Sequence, residues 1–274
     1  MVTGESKNIL VKDSSFDIDQ ISNYHLSIEL SKKSLSYCII DNQKNRCLLL
    51  SSRSYYLEDL HLIFNNDKYL NNKFSSKSIS VVNFPNTLVP KKLYNEDDKK
   101  NLLSINHEIE DEKLLSDLLK SDIVNLYALP KSIFQTIKNI IPEASLRSNS
   151  SILINNCISL NQQKETMFLY IKDSFVNIVV TKNKDLLFQN KFEFITKEDL
   201  LFYTLFCIQE MNLSNEEINT LVYGNIDKEE FNILYQYIRN IKYGNKLKDI
   251  ICSNEFNNID EHCYNLLYRQ FLCV

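Results

Sequence analysis

The sequence predicts an α/β protein built from two related halves, and three observations carry that expectation. Short alternating or apolar runs separated by turn residues form a three-strand meander near the N-terminus and again beyond the middle of the chain. The two meanders, and the elements after them, lie over one another under a single shift. Each meander is followed by a helical and then a strand-like pattern, so the repeated unit reads β-β-β-α-β-α.

Residues 1–22 are polar and aperiodic and are expected to be a mobile lead-in. Residues 25–30, 35–40 and 46–51 are the first meander, broken at Ser31-Lys32-Lys33-Ser34 and at residues 41–45. Ser80-Val81-Val82 is strand-like, residues 112–120 are amphipathic, and residues 123–129 again favour a strand. Pro130 opens a helix to about Ile140, because proline suits the first turn where its missing N–H is not needed. Residues 151–155 read as a further strand. The polar stretch 161–164 then separates a first lobe, 23–160, from a second, 161–274.

Residues 167–171, 175–181 and 186–194 are the second meander, with turns at Lys172-Asp173-Ser174 and at residues 182–185. Ser34-Leu35 lies over Ser174-Phe175, Glu58-Asp59-Leu60 over Glu198-Asp199-Leu200, and Ser80-Val81-Val82 over Thr220-Leu221-Val222. Thr196 with Asp199 is a capping box for a helix through Met211 that is apolar nearly all round, which suits burial on several sides. Asp227 with Glu230 opens another helix, and Phe231, Leu234, Tyr235 and Ile238 form its stripe. A strand over 247–252 and a helix over 260–271 are expected to close the chain.

Composition excludes several classes. The chain has 274 residues and a net charge of −4, so it has no global cationic field and nucleic-acid binding is disfavoured. The longest apolar run, residues 200–208, is about half of what a bilayer crossing needs. Met1 to Asn8 lacks the pattern of a secretory signal, so a cytoplasmic protein without membrane insertion is expected. Seven scattered cysteines read as reduced core thiols, and His262-Cys263 is a lone doublet without metal-ligand spacing. His25, His61, His107 and His262 share no recurrent spacing. Glycine is the most informative residue, because only Gly4, Gly224 and Gly244 occur. Loops that wrap phosphates closely need glycine where a Cβ would collide, so a P-loop, a dinucleotide fingerprint and a nucleophile elbow are all excluded.

A duplicated unit of three meander strands, helix, strand and helix resembles the actin-like (ribonuclease H-like) fold of actin, sugar kinases and heat-shock ATPases. The segments Leu26-Ser27-Ile28 through Leu35, Thr87-Leu88-Val89-Pro90 with Leu93-Tyr94, Tyr127-Ala128-Leu129-Pro130 and the end from Tyr264 to Leu272 resemble the bacterial DUF3822 family. That resemblance implies an actin-like ATPase fold of two lobes. Each lobe has three antiparallel meander strands, parallel strands beside them and flanking helices, and no activity is established for the family.

The resemblance also locates a candidate site. Active actin-like ATPases carry an Asp-x-Gly type loop at the first turn of each meander, where the Asp helps to hold Mg²⁺ and the glycine lets N–H groups reach phosphates. The matching residues here are Ser31, Lys32, Lys33 and Ser34 in one half and Lys172, Asp173 and Ser174 in the other, with Gly224-Asn225 nearest to the adenosine-side glycines. Neither turn has a glycine and only Asp173 supplies a carboxylate, so ATP with Mg²⁺ is disfavoured as a cofactor. The leading expectation is a non-catalytic binding or scaffold module with another protein as partner, a homo-oligomer being left open. The alternative is a kinase- or ATPase-like binder of a nucleotide or phospho-ligand through the turn lysines Lys32, Lys33 and Lys172.

Overall fold

The computed structural model describes residues 8–56, 59–160, 162–245 and 247–273. The chain divides into two compact units. Unit 1 is Met1–Ile152 with Lys248–Ile259 and Leu266–Val274, and unit 2 is Leu153–Leu247 with Asp260–Asn265. Among the described residues no helix is long and apolar enough to cross a membrane.

Unit 1 begins with β1 (Ile9–Lys12), β2 (Tyr24–Leu30), β3 (Ser34–Asp41), β4 (Arg46–Ser54), α1 (Leu60–Asn66) and β5 (Ser76–Val81). Then come β6 (Asn86–Pro90), α2 (Lys99–Ser104), β7 (Glu112–Leu119), β8 (Ile123–Pro130), α3 (Lys131–Ile140), β9 (Ser145–Ser148) and α4 (Asn149–Ser159), which belongs to unit 2 from Leu153 on. The main sheet has the order β1-β4-β3-β2-β5-β9. Its first three pairings are antiparallel, and β2 with β5 and β5 with β9 are parallel. Period-2 alternation puts Leu26, Ile28 and Leu30 on the face that joins the main apolar cluster, and His25, Ser27 and Glu29 on the other. Both faces are covered, so all of β2 is buried.

Several elements differ from the sequence expectation. Residues 9–12, placed in a mobile lead-in, pair with β4, Ile9 opposite Ser52. The amphipathic stretch 112–120 is strand β7, because Leu114 and Leu119 lie opposite Ala128 and Ile123 of β8. It belongs to a second, three-stranded sheet, β6-β8-β7, inserted between β5 and α3 with its own cluster of Val89, Leu103, Val124, Leu126 and Ala128. Residues 151–155, read as a strand, lie inside helix α4, since a short apolar run has no periodicity that separates the two states. Gly4 and Glu58 lie outside the described residues.

Unit 2 contains β10 (Thr166–Lys172), β11 (Phe175–Lys182), β12 (Asp185–Glu193), α5 (Lys197–Glu210), β13 (Asn219–Gly224), α6 (Lys228–Tyr237) and β14 (Asn240–Tyr243). Its sheet order, β12-β11-β10-β13-β14, repeats β4-β3-β2-β5-β9 strand for strand, antiparallel pairs first and parallel pairs after. Even the register shifts correspond, between Ile39 and Ile40 in β3 and between Val180 and Thr181 in β11. Both capping boxes form, Thr196 with Asp199 at α5 and Asp227 with Glu230 at α6.

The closing segments go back and forth between the units. The expected strand over 247–252 is reduced to one bridge, Ile251 to Arg46. The expected helix over 260–271 is a turn followed by the short α7 (Asn265–Arg269).

Candidate functional site

In unit 1 the β2–β3 turn is closed by its own serine. Ser31 is buried, and its Oγ accepts the N–H of Lys33 at 3.1 Å and of Ser34 at 2.8 Å while lying 3.0 Å from Ser34 Oγ. The Ser31 N–H donates to the Ser34 carbonyl at 2.9 Å, and the Tyr55 hydroxyl donates to the Ser31 carbonyl at 2.5 Å. The amides at 33 and 34, of the kind that a phosphate-binding loop turns toward its ligand, are thereby satisfied from within. Lys32 and Lys33 are exposed, and the Lys32 ammonium sits 5.8 Å from the Phe84 ring centroid.

Two residues before this turn is a carboxylate that the sequence reading passed over. Glu29 is only 2% exposed, and Asn149 Nδ2 at the start of α4 donates to its Oε2 at 3.1 Å. On the same face the three hydroxyls of Ser76, Ser27 and Ser78 surround the His25 ring at 2.7–3.1 Å, and Gln270 Nε2 donates to Ser80 Oγ at 2.8 Å. The signal was present in the alternation of β2, which places His25, Ser27 and Glu29 together.

The matching turn of unit 2 is one residue shorter. Asp173 (φ 51°) and Ser174 (φ 66°) both occupy the left-handed region, as a two-residue hairpin demands, although neither is glycine. Asp173 is half-buried and Ser174 exposed. Lys172 corrects the expectation of three exposed turn lysines. It is 1% exposed at the end of β10, and its charge is felt by the nearby Cys263 thiol.

Gly224 ends β13 opposite Ile171 of β10. It has φ 83°, and a Cβ there would stand 2.0 Å from the Ile171 carbonyl oxygen. That oxygen accepts the Asn225 N–H at 2.7 Å, and the Gly224 N–H donates to the His262 carbonyl at 3.0 Å. The His262 ring packs on Tyr243 with centroids 4.4 Å apart, and Tyr243 stacks on Phe231 at 4.0 Å. Folding thus brings the doublet His262-Cys263 beside Gly224, which sequence spacing could not disclose. Burial, reinforced by Asp260 and opposed by Lys172, pushes the Cys263 thiol up to about 12, so it stays protonated and is a poor nucleophile. Burial also lowers the His262 imidazole, against the pull of Asp260. Among the described residues no three His, Cys, Asp or Glu side chains are grouped to hold a metal ion.

Two solved structures show what frame this is. A Bacteroides thetaiotaomicron protein of unknown function with an actin-like ATPase fold is 20% identical, matches 93% of this chain and 99% of its own, and has a TM-score of 0.79. The PilM–PilN type IV pilus biogenesis complex contains a chain that is 10% identical, with 91% and 98% covered and a TM-score of 0.62. At such identities the likeness is one of fold, and the fold is the actin-like ATPase fold with its duplicated β-β-β-α-β frame. None of the curated proteins matches the chain. The family model for proteins of unknown function DUF3822 matches residues 13–241, from ahead of the first meander into the start of β14, and the chain belongs to that family.

Proposed function

We propose that this protein is a non-catalytic binding module that keeps the actin-like frame and takes another protein as its partner. The observation that carries the proposal is the closed β2–β3 turn, where Ser31 Oγ holds the amides at 33 and 34. A nucleotide phosphate placed there would have to break both bonds and then meet the Ser31 and Ser34 side chains instead of bare backbone. Taken by itself, the second turn contributes one carboxylate, Asp173, and its lysine is buried, which is a poor set for a magnesium ion. Support for a protein partner comes from unit 2. On α5, Phe202 and Phe206 are 61% and 43% exposed and stack at 6.0 Å, and Ile195 just before the helix is 91% exposed. Exposed stacked aromatic rings of this kind are the material from which protein interaction sites are built. The PilM–PilN complex is a precedent for this fold within a protein assembly.

The test has two arms. Purified protein should release no phosphate from Mg·ATP above buffer and show no saturable rise in melting temperature with ATP. Affinity purification should recover one partner with the wild-type chain and lose it with a Phe202→Ser, Phe206→Ser variant of unchanged circular dichroism. Turnover or saturable nucleotide binding would overturn the proposal.

A further inference from the structure

We propose that a cleft in unit 1, lined by none of the residues of either turn, binds a small organic anion through Arg53 and Lys68. The cleft has a volume of about 450 Å³ and lies where β1 and β4 meet the chain leaving α1. That size falls within the range of small-ligand sites.

Its floor is a buried polar network. The Asp67 carboxylate, 7% exposed, accepts Arg53 Nη2 at 2.5 Å and the Tyr37 hydroxyl at 3.1 and 3.2 Å. Its Oδ1 also takes the N–H groups of Tyr69 at 2.8 Å and Leu70 at 3.1 Å. With so many donors already aimed at it, Asp67 has little capacity left for a cation and serves to fix Arg53 in place. Arg53 is only partly used by this contact. Its side chain is 29% exposed and lines the cleft, while its Nε is buried and has no hydrogen-bond partner among the described residues. An arginine pinned by one nitrogen to a buried carboxylate, with part of its guanidinium side chain exposed to the cleft, is a preorganised receptor for an oxyanion.

The remaining lining agrees in sign. Among the described residues that line it, Arg53 and Lys68 face one acid, Asp67, so this lining carries a net positive charge inside an acidic protein. The Lys68 ammonium lies 5.5 Å from the Tyr69 ring centroid, and that ring is wedged edge-on against Phe16 at 5.6 Å. Tyr69 and Ile9 supply an apolar wall. The ligand class that matches is a compact oxyanion, a carboxylate or a phosphate monoester, attached to a flat or apolar body.

The test uses the full chain at constant ionic strength. Calorimetric titration with benzoate and phenylacetate forms one arm, and titration with phenyl phosphate and inorganic phosphate the other. Saturable binding in one arm is expected and identifies the oxyanion. Lys68→Ala, a change at an exposed position, should weaken that binding about threefold to tenfold, as loss of one charge-assisted contact does. Arg53→Lys keeps the charge beside Asp67 but removes the planar fork, and should weaken binding by about tenfold or more. Absence of saturable binding in both arms would overturn the proposal, as would affinities unchanged in both variants. The outcome is independent of whether the turns bind nucleotide, because neither probe set contains one.

Discussion

Replacing Ser31 with alanine isolates the feature on which the functional reading rests. The hydroxyl accepts two amides, that of Ser34 in a buried position and that of Lys33 in a partly buried one. A buried donor left without a partner costs about 1–3 kcal/mol, whereas one that water can reach loses only about 0.5 kcal/mol. The variant should therefore be less stable by about 2 kcal/mol, which lowers a urea midpoint by roughly 1 M for a typical urea dependence. The chain has no tryptophan, so the transition is best followed by far-ultraviolet circular dichroism. Wild-type and variant midpoints within about 0.15 M of each other would refute the reasoning, since the amides would then not depend on Ser31. A variant that gained saturable ATP binding would strengthen it, because the serine would then be what blocks the turn.

Gly224→Ala should destabilise unit 2 by about 2–4 kcal/mol, combining a left-handed φ with a Cβ driven against the Ile171 carbonyl; a thermal midpoint equal to wild type would refute that packing. His25 predicts an acid-side loss of stability. Burial lowers its imidazole from 6.5 to about 4, so below pH 6.5 the unfolded chain takes up a proton that the folded chain refuses. Stability should fall by about 3 kcal/mol as the pH drops from 6.5 to 4, and urea midpoints of His25→Gln should lose most of that slope; an unchanged slope in the variant would assign the loss to other groups.

Much of this fold was legible because the relevant signals are local. The capping boxes at Thr196 and Asp227 each involve residues three apart, and both form as read. The meander strands declared themselves through alternation and turn residues, and the duplication through matched segments. The misreadings have a common cause. Residues 112–119 and 151–155 carry apolar patterns compatible with helix or strand, and only β8 opposite the first, and the turns of α4 around the second, settle the state. The site was read less completely than the fold. Lys172 looked like a turn lysine because it adjoins Asp173-Ser174, but it is the last residue of β10 and lies inside.

The sequence by itself determined that there are two related α/β halves, that only three glycines are available to its turns, and that Ser31 to Ser34 follow the first meander strand. Each of these depends on residue type or short spacing, which the chain displays directly. Tertiary structure alone decided that Ser31 Oγ holds the turn amides, that residues 260–265 carry His262 against Gly224, and that Asp67 pins Arg53 beside a cleft. Those pairings join residues whose separation along the chain bears no relation to their distance in space, and they form only when burial of the apolar faces fixes the strand order.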